Sequence, residues 1–128
     1  MEKVVNKICL DSDVIISLLK KDNQTKEDIE KIDGEFYMTV ISLFEVEYGK
    51  KSEESTKEII QSFHIQEMDS ESAILAANIL KELRKKGEEI EFRDIFIAAI
   101  CITHNFDLFT YNKRDFERMK KFGLKLIT

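Results

Sequence analysis

Two carboxylates interrupt an otherwise apolar run, ICLDSDVIISLL at residues 8–19. Asp11 and Asp13 lie between Leu10 on one side and Val14, Ile15 and Ile16 on the other. An ionised carboxylate is rarely buried without compensation by a cap, an opposite charge or a metal ion. The chain holds 25 acidic residues, so one acid alone carries little information and the useful filter is an acid on an apolar face. Glu45 passes that filter: in TVISLFEVEYGK it shares a predicted helix face with Ile41, Phe44 and Tyr48, while Glu47 points the other way. Asp94 passes in FRDIFIAAICITH, where Ile97, Ala98 and Cys101 lie three, four and seven residues on. Asp115, in TYNKRDFERMK, follows a predicted strand end and precedes Phe116.

Each acid has a structural alternative. Asp11, Ser12 or Asp13 could cap a first helix, and Asp94 could cap its own. Asn112 with Asp115 three residues later has the form of a capping box, and Glu45 could pair with a buried Arg or Lys. Independent caps have no reason to converge, however. Asp11, Asp94 and Asp115 stand at helix starts, two of them after strands, and Glu45 heads inward from a helix after another strand. Clustered carboxylates cannot all ionise uncompensated. A hard divalent cation held by oxygen ligands is the usual compensation, and Mg²⁺ typically combines few carboxylates with water and phosphate oxygens. Such an ion activates water and steadies in-line phosphoryl displacement. The chemistry suggested is metal-dependent phosphodiester hydrolysis.

Other chemistries fit less well. The two histidines, His64 and His104, lack zinc-ligand spacing, and His104 suits the C-terminus of a helix. No Gly-rich phosphate loop and no nucleophile elbow occur. LDSDV has the D-x-D shape of a haloacid-dehalogenase-like phosphatase, but the lysine and the further acidic motif of that class have no convincing place.

The elements that must position these acids follow from the apolar pattern. Strands are expected over 4–10, 36–40, 108–110 and 124–127, with 64–67 a short strand or only a connection. Helices are expected over 13–21, 25–32, 42–50, 53–62, 69–86, 93–104 and 113–121. Short apolar strands alternating with helices imply an α/β fold with a parallel, helix-covered sheet. Ligands of such folds gather beyond the carboxyl ends of the strands, where Asp11 falls.

The bulk numbers agree with a nuclease-sized globule. The 128 residues, 43% of them hydrophobic, suit one domain over 1–128. No apolar stretch approaches the ~20 residues that span a bilayer, and MEKVVNKICLDSD reads as a first strand rather than a signal peptide. Cys9 and Cys101 lie in apolar surroundings without C-x-x-C spacing, as buried free thiols of a reducing cytoplasm would. A net charge of −5 argues against a protein that coats nucleic acid. Residues 112–128 nevertheless hold six Lys/Arg and two acids, which leaves −9 on residues 1–111. A basic end beside an acidic site suits a polyanionic substrate; it also suits a merely solvated helix face. Lys113, Arg114 and Arg118 are the candidate contacts to the phosphates of such a substrate.

The stretches ICLDSDVIISLL, TVISLFEVEYGK, EIEFRDIFIAAIC and LFTYNKRDFERMKKFGLKLI occur in an order that resembles the PIN-domain family, and within it the VapC-type toxin ribonucleases of toxin–antitoxin pairs. The last carries T-x-N-x-x-D-F, with Thr110, Asn112, Asp115 and Phe116. The resemblance covers nearly the whole chain and places the family's acidic residues on Asp11, Glu45 and Asp94. Its fourth polar position falls on Asn112, with Asp115 beside it, so either could complete a metal site. Ser42 matches a hydroxyl position before the Glu, Thr110 a supporting one, and Asp13 falls where the family often has Asn. The resemblance implies a three-layer α/β/α fold with a mainly parallel sheet. It also implies Mg²⁺- or Mn²⁺-dependent endoribonuclease activity, a homodimer, and neutralisation by a small antitoxin that inserts a basic side chain. Two alternatives are a PIN nuclease of RNA processing without an antitoxin and a non-catalytic PIN-like RNA- or protein-binding module. The intact acids argue against the second, and the small size favours the toxin over the first.

Overall fold

A computed structural model describes residues 5–50 and 57–127. The elements run β1 (Lys7–Leu10), α1 (Ser12–Leu19), α2 (Asn23–Glu30), β2 (Glu35–Thr39), α3 (Val40–Gly49), α4 (Lys57–Ser62), β3 (His64–Gln66), α5 (Ser70–Lys85), α6 (Phe92–Thr103), β4 (Asp107–Phe109), α7 (Lys113–Glu117), a 3₁₀ turn (Lys120–Phe122) and β5 (Lys125–Leu126). The expected starts of the first strand at Val4 and of the fourth helix at Glu53 lie outside the described residues.

The five strands form one sheet in the order β3-β2-β1-β4-β5, and every pairing is parallel. The chain builds outward from β1 through β2 to β3. It then crosses back through α5 and α6 to lay β4 on the other side of β1. The topological switch point therefore lies at the carboxyl ends of β1 and β4, the place where open α/β sheets bind ligands. Asp11 follows β1 directly, and Thr110 follows β4 directly.

Side chains alternate across the strands and define two apolar layers. Cys9 and Leu108 join Ala76, Ile79, Leu83, Ile97, Ile100 and Phe106 under α5 and α6. Ile8, Leu10 and Met38 meet Val14, Ile15 and Val46 of α1 and α3 on the other face. Both cysteines are buried and free, and the hydrogen bond with the Cys9 thiol, followed by burial, pushes Cys101 well up. The close approach of β1 and β2 needs a glycine: a Cβ on Gly34 would lie 2.6 Å from the Asn6 carbonyl. No described helix is long and apolar enough to cross a membrane.

Two expectations need correction. Of the expected inward face of α3, Ile41 does pack partly buried against the core, but Phe44 is 67% and Tyr48 82% exposed, and their rings stack on each other 5.9 Å apart. Ser42 and Val46 are the buried residues of this helix. The helix starts at Val40, one residue after β2, with Thr39 as its N-cap, and this orients 42 and 46 toward the sheet. The last expected helix is also divided. It stops at Glu117 and resumes as a 3₁₀ turn closed by Gly123 at φ 110°, a left-handed conformation natural to glycine.

Candidate active site

Asp11 is held before any partner arrives. It is the N-cap of α1, 1% exposed, and its Oδ1 accepts from the Ser12 backbone N–H at 2.8 Å. Its Oδ2 accepts from the Thr110 hydroxyl at 2.8 Å, which ties the end of β1 to the end of β4. The capping alternative is thus realised at Asp11, but the cap leaves its carboxylate at the switch point. Asp94 does not cap α6. It lies in the first turn behind Glu91, the N-cap, and is 2% exposed. A carboxylate there interacts favourably with the helix N-terminus.

One residue joins the acids, and the acid filter did not select it. Arg93 donates from Nε and Nη2 to the two oxygens of Glu45, each at 2.7 Å, a bidentate pair. Nη2 also donates to Asp11 Oδ1 at 2.7 Å and to Ser12 Oγ at 3.1 Å. Nη1 bonds Asp94 Oδ1. Carboxylates from the β1–α1 junction, α3 and α6 therefore meet on a single guanidinium. Glu45 reaches it from the margin of the buried face of α3, with 28% of its side chain exposed. Burial disfavours the charge of Arg93, and its bonds to Glu45 and Asp11 more than offset that and hold it firmly protonated. Burial raises Asp94, Arg93 opposes the rise, and the charges of Asp11 and Asp115 add to it.

The flanking residues form a second tier. Asp13 is half-buried, and its Oδ2 accepts from the Tyr111 backbone N–H at 3.1 Å. Burial first, then the charge of Asp11, pushes Asp13 up to about 6. The Tyr111 hydroxyl bonds Thr25 Oγ1 at 2.8 Å and Asp28 at 3.3 Å, pinning the loop after β4 to α2. Asn112 is the N-cap of α7 but makes no side-chain cap. Its Nδ2 instead donates to Asp115 Oδ2 at 2.8 Å, so the two residues form a pair and not a capping box. Asp115 shares a cleft with Asp94. Ser42 is buried, and its backbone N–H donates to Thr39 Oγ1 at 3.1 Å, the N-cap bond of α3. His104 is the C-cap of α6, and its ring reaches Asp69 at 2.8 Å.

Of the three candidate RNA-binding cations, two line different clefts and the third is exposed. Arg118 lines a cleft of about 730 Å³ with Arg84, Glu88, Glu91, Asp94 and Asp115. Its guanidinium donates to the Asp115 and Glu89 carbonyls. Lys113 lines a separate cleft with Thr110, Tyr111 and Lys31, and Arg114 is exposed.

Asp11, Glu45 and Asp94 offer hard carboxylate oxygens, so their donor chemistry fits Mg²⁺ or Mn²⁺. Their present arrangement serves another cation. Among the described residues, no three His, Cys, Asp or Glu side chains are set to hold a metal ion.

Fold and site together define an α/β domain with acids gathered at a parallel-sheet switch point. The PIN domain matches residues 8–122, and the chain belongs to the PIN domain family. Ribonuclease VapC1 of Methanocaldococcus jannaschii is 34% identical over 129 residues, covering 98% of this chain and 90% of that protein. Ribonuclease VapC1 of Rickettsia felis is 30% identical over 131 residues, covering 94% and 95%. The crystal structure of DNA-bound VapBC from Salmonella typhimurium superposes with a TM-score of 0.81 at 25% identity, covering 95% of this chain and 97% of that one.

Proposed function

We propose that this protein is a metal-dependent endoribonuclease, the toxin of a type II toxin–antitoxin pair. The observation that carries the reading is the convergence of Asp11, Glu45 and Asp94, from three separate elements, at the switch point of the sheet. The relatives named Ribonuclease VapC1 support an RNA substrate. The likeness to a VapBC complex supports a small antitoxin partner.

In this reading Asp11, Glu45 and Asp94 hold Mg²⁺, with Mn²⁺ as a substitute, and Asn112 or Asp115 completes the set. The bound ion would supply an activated water and stabilise charge on the phosphoryl oxygens. The protein's own part is positioning. The Ser12 N–H and the Thr110 hydroxyl fix both oxygens of Asp11, and Asn112 orients Asp115. Lys113 and Arg114 are the phosphate contacts free to meet RNA, the protein acts as a homodimer, and the antitoxin inhibits by a basic side chain directed at the acids.

The test is incubation of total RNA with purified protein in Mg²⁺, Mn²⁺ or EDTA, followed by mapping of the cut ends. Cleavage at defined sites with either ion and its loss in EDTA is the expected result. Cleavage undiminished by EDTA, or none under any condition, refutes the reading.

A further inference from the structure

We infer that Arg93 is a resident counter-cation that competes with the divalent ion for the oxygens of Asp11, Glu45 and Asp94, and that it leaves them when the ion binds. The inference rests on the metal-dependent reading above. Arg93 spends its donors on all three acids: two bonds to Glu45, one to Asp11, one to Asp94. Asp11 Oδ1 already takes the Ser12 N–H at 2.8 Å and Arg93 Nη2 at 2.7 Å. Mg²⁺ sits ~2.0–2.1 Å from its oxygens. The Ser12 and Arg93 donors occupy both lone pairs of Asp11 Oδ1, so an ion on that oxygen must displace one of them, and Arg93 is the one of like charge.

The exchange is electrostatically and sterically open. Three carboxylates against one guanidinium leave a surplus of negative charge, so the cluster still attracts a divalent ion. Arg93 stands in the first turn of α6 beside the exposed Phe92, and its own side chain is 23% exposed. The cleft next to Asp94 is lined by Glu88, Glu89 and Glu91 and offers the released guanidinium carboxylates and solvent. Arg93 is thus a positioning residue: it holds the acids in place before the ion binds and opposes the ion's binding.

The experiment compares wild type with Arg93→Met and Arg93→Lys by Mn²⁺ titration, using electron paramagnetic resonance, and by melting in EDTA. A guanidinium seated for ~90% of the time or more weakens apparent ion affinity about tenfold or more. Arg93→Met should recover that factor and should melt lower in EDTA, with the loss reversed by Mn²⁺. Arg93→Lys keeps the charge but not the fork and should fall between. Removing a charge also strengthens ion binding without any displacement, so the deciding measurement uses wild type. The Arg93 Nε–H resonance should be protected from exchange in EDTA and should lose that protection at Mg²⁺ saturation. Mg²⁺ binding with that resonance unmoved overturns this inference and leaves the metal-dependent reading standing. No ion binding by wild type or by Arg93→Met overturns both.

Discussion

Replacing Asp11 with Asn removes one charge and no heavy atom. The amide keeps an oxygen for the Ser12 N–H, and its Nδ2 faces the Thr110 hydroxyl, which can turn to accept. What disappears is the charge on the 2.7 Å bond from Arg93 and on the N-cap of α1. A bond to a charged group contributes ~1.5–3 kcal/mol and a neutral one ~0.5–1.5 kcal/mol. The cap charge adds ~0.3–1 kcal/mol at the helix N-terminus. Opposing these losses, Asp11 helps to raise both Asp13 and Asp94, and its neutralisation relieves them. The balance is a destabilisation of ~1–2 kcal/mol in EDTA, because Arg93 keeps Glu45 and Asp94.

For a chain of 128 residues that corresponds to a fall in Tm of roughly 3–10 °C. The assay is a thermal melt in EDTA of wild type, Asp11→Asn, Arg93→Met and the double variant. The double variant should melt well above the temperature additivity predicts, since the two single changes break one interaction. Repulsion among unpaired carboxylates predicts the opposite sign: Asp11→Asn neutral or stabilising. A melting temperature at or above wild type, or strict additivity in the cycle, refutes the paired arrangement.

Two further outcomes follow from geometry. Gly34→Ala drives a methyl to 2.6 Å from the Asn6 carbonyl and 3.1 Å from Ile8, so urea unfolding should show a loss of ~1–3 kcal/mol; an unchanged midpoint would mean that β1 and β2 lie farther apart than described. Replacing Lys113 and Arg114 together by Ala should reduce the slope of log K against log salt for single-stranded RNA by about 1.4, two phosphate contacts' worth, and an unchanged slope makes them a solvated face. Arg118→Ala should instead cost stability, since its guanidinium bridges the Asp115 and Glu89 carbonyls.

Much of the element order was legible because β1 is a short apolar run and α1, α2 and α5 each start behind an aspartate N-cap. Asp69 caps α5 through the Ser72 N–H and Gly123 closes the 3₁₀ turn, as residue type alone suggests. The orientation of α3 was not legible. Ile41, Leu43, Phe44, Val46 and Tyr48 spread apolar side chains around most of its circumference, so no single face stood out. Only the sheet decides which of them is buried, and it chose Val46 beside the small Ser42. At the site, Asp11 and Asp94 were legible as acids in apolar surroundings, whereas Glu45 was selected for a face whose Phe44 and Tyr48 are exposed; the structure nevertheless brings all three acids together. Arg93 was not legible, because a filter for misplaced carboxylates does not examine cations. The signal was present one residue away: Arg93 is the one basic residue in a helix whose other members are apolar apart from Asp94 and Thr103.

Arg93 also bears on how this fold stands without an ion. Many metal sites couple folding to the metal, since ligands drawn together without it repel one another. Here two of the acids, Asp11 and Asp94, are almost fully buried. They are anchored to different segments, and residues 1–111 carry a net −9 around them. Left alone, the cluster would either splay or take up protons. A guanidinium reaching Glu45 on α3 and Asp11 at the end of β1 from the first turn of α6 supplies the compensation from within. It also links three elements at the switch point. The stability that Arg93 gives the ion-free state is, by linkage, opposed to ion affinity, because both depend on the same oxygens. In the metal-dependent reading proposed above, a chain with Arg at position 93 is therefore expected to fold without an ion and to bind one more weakly than its three carboxylates alone would.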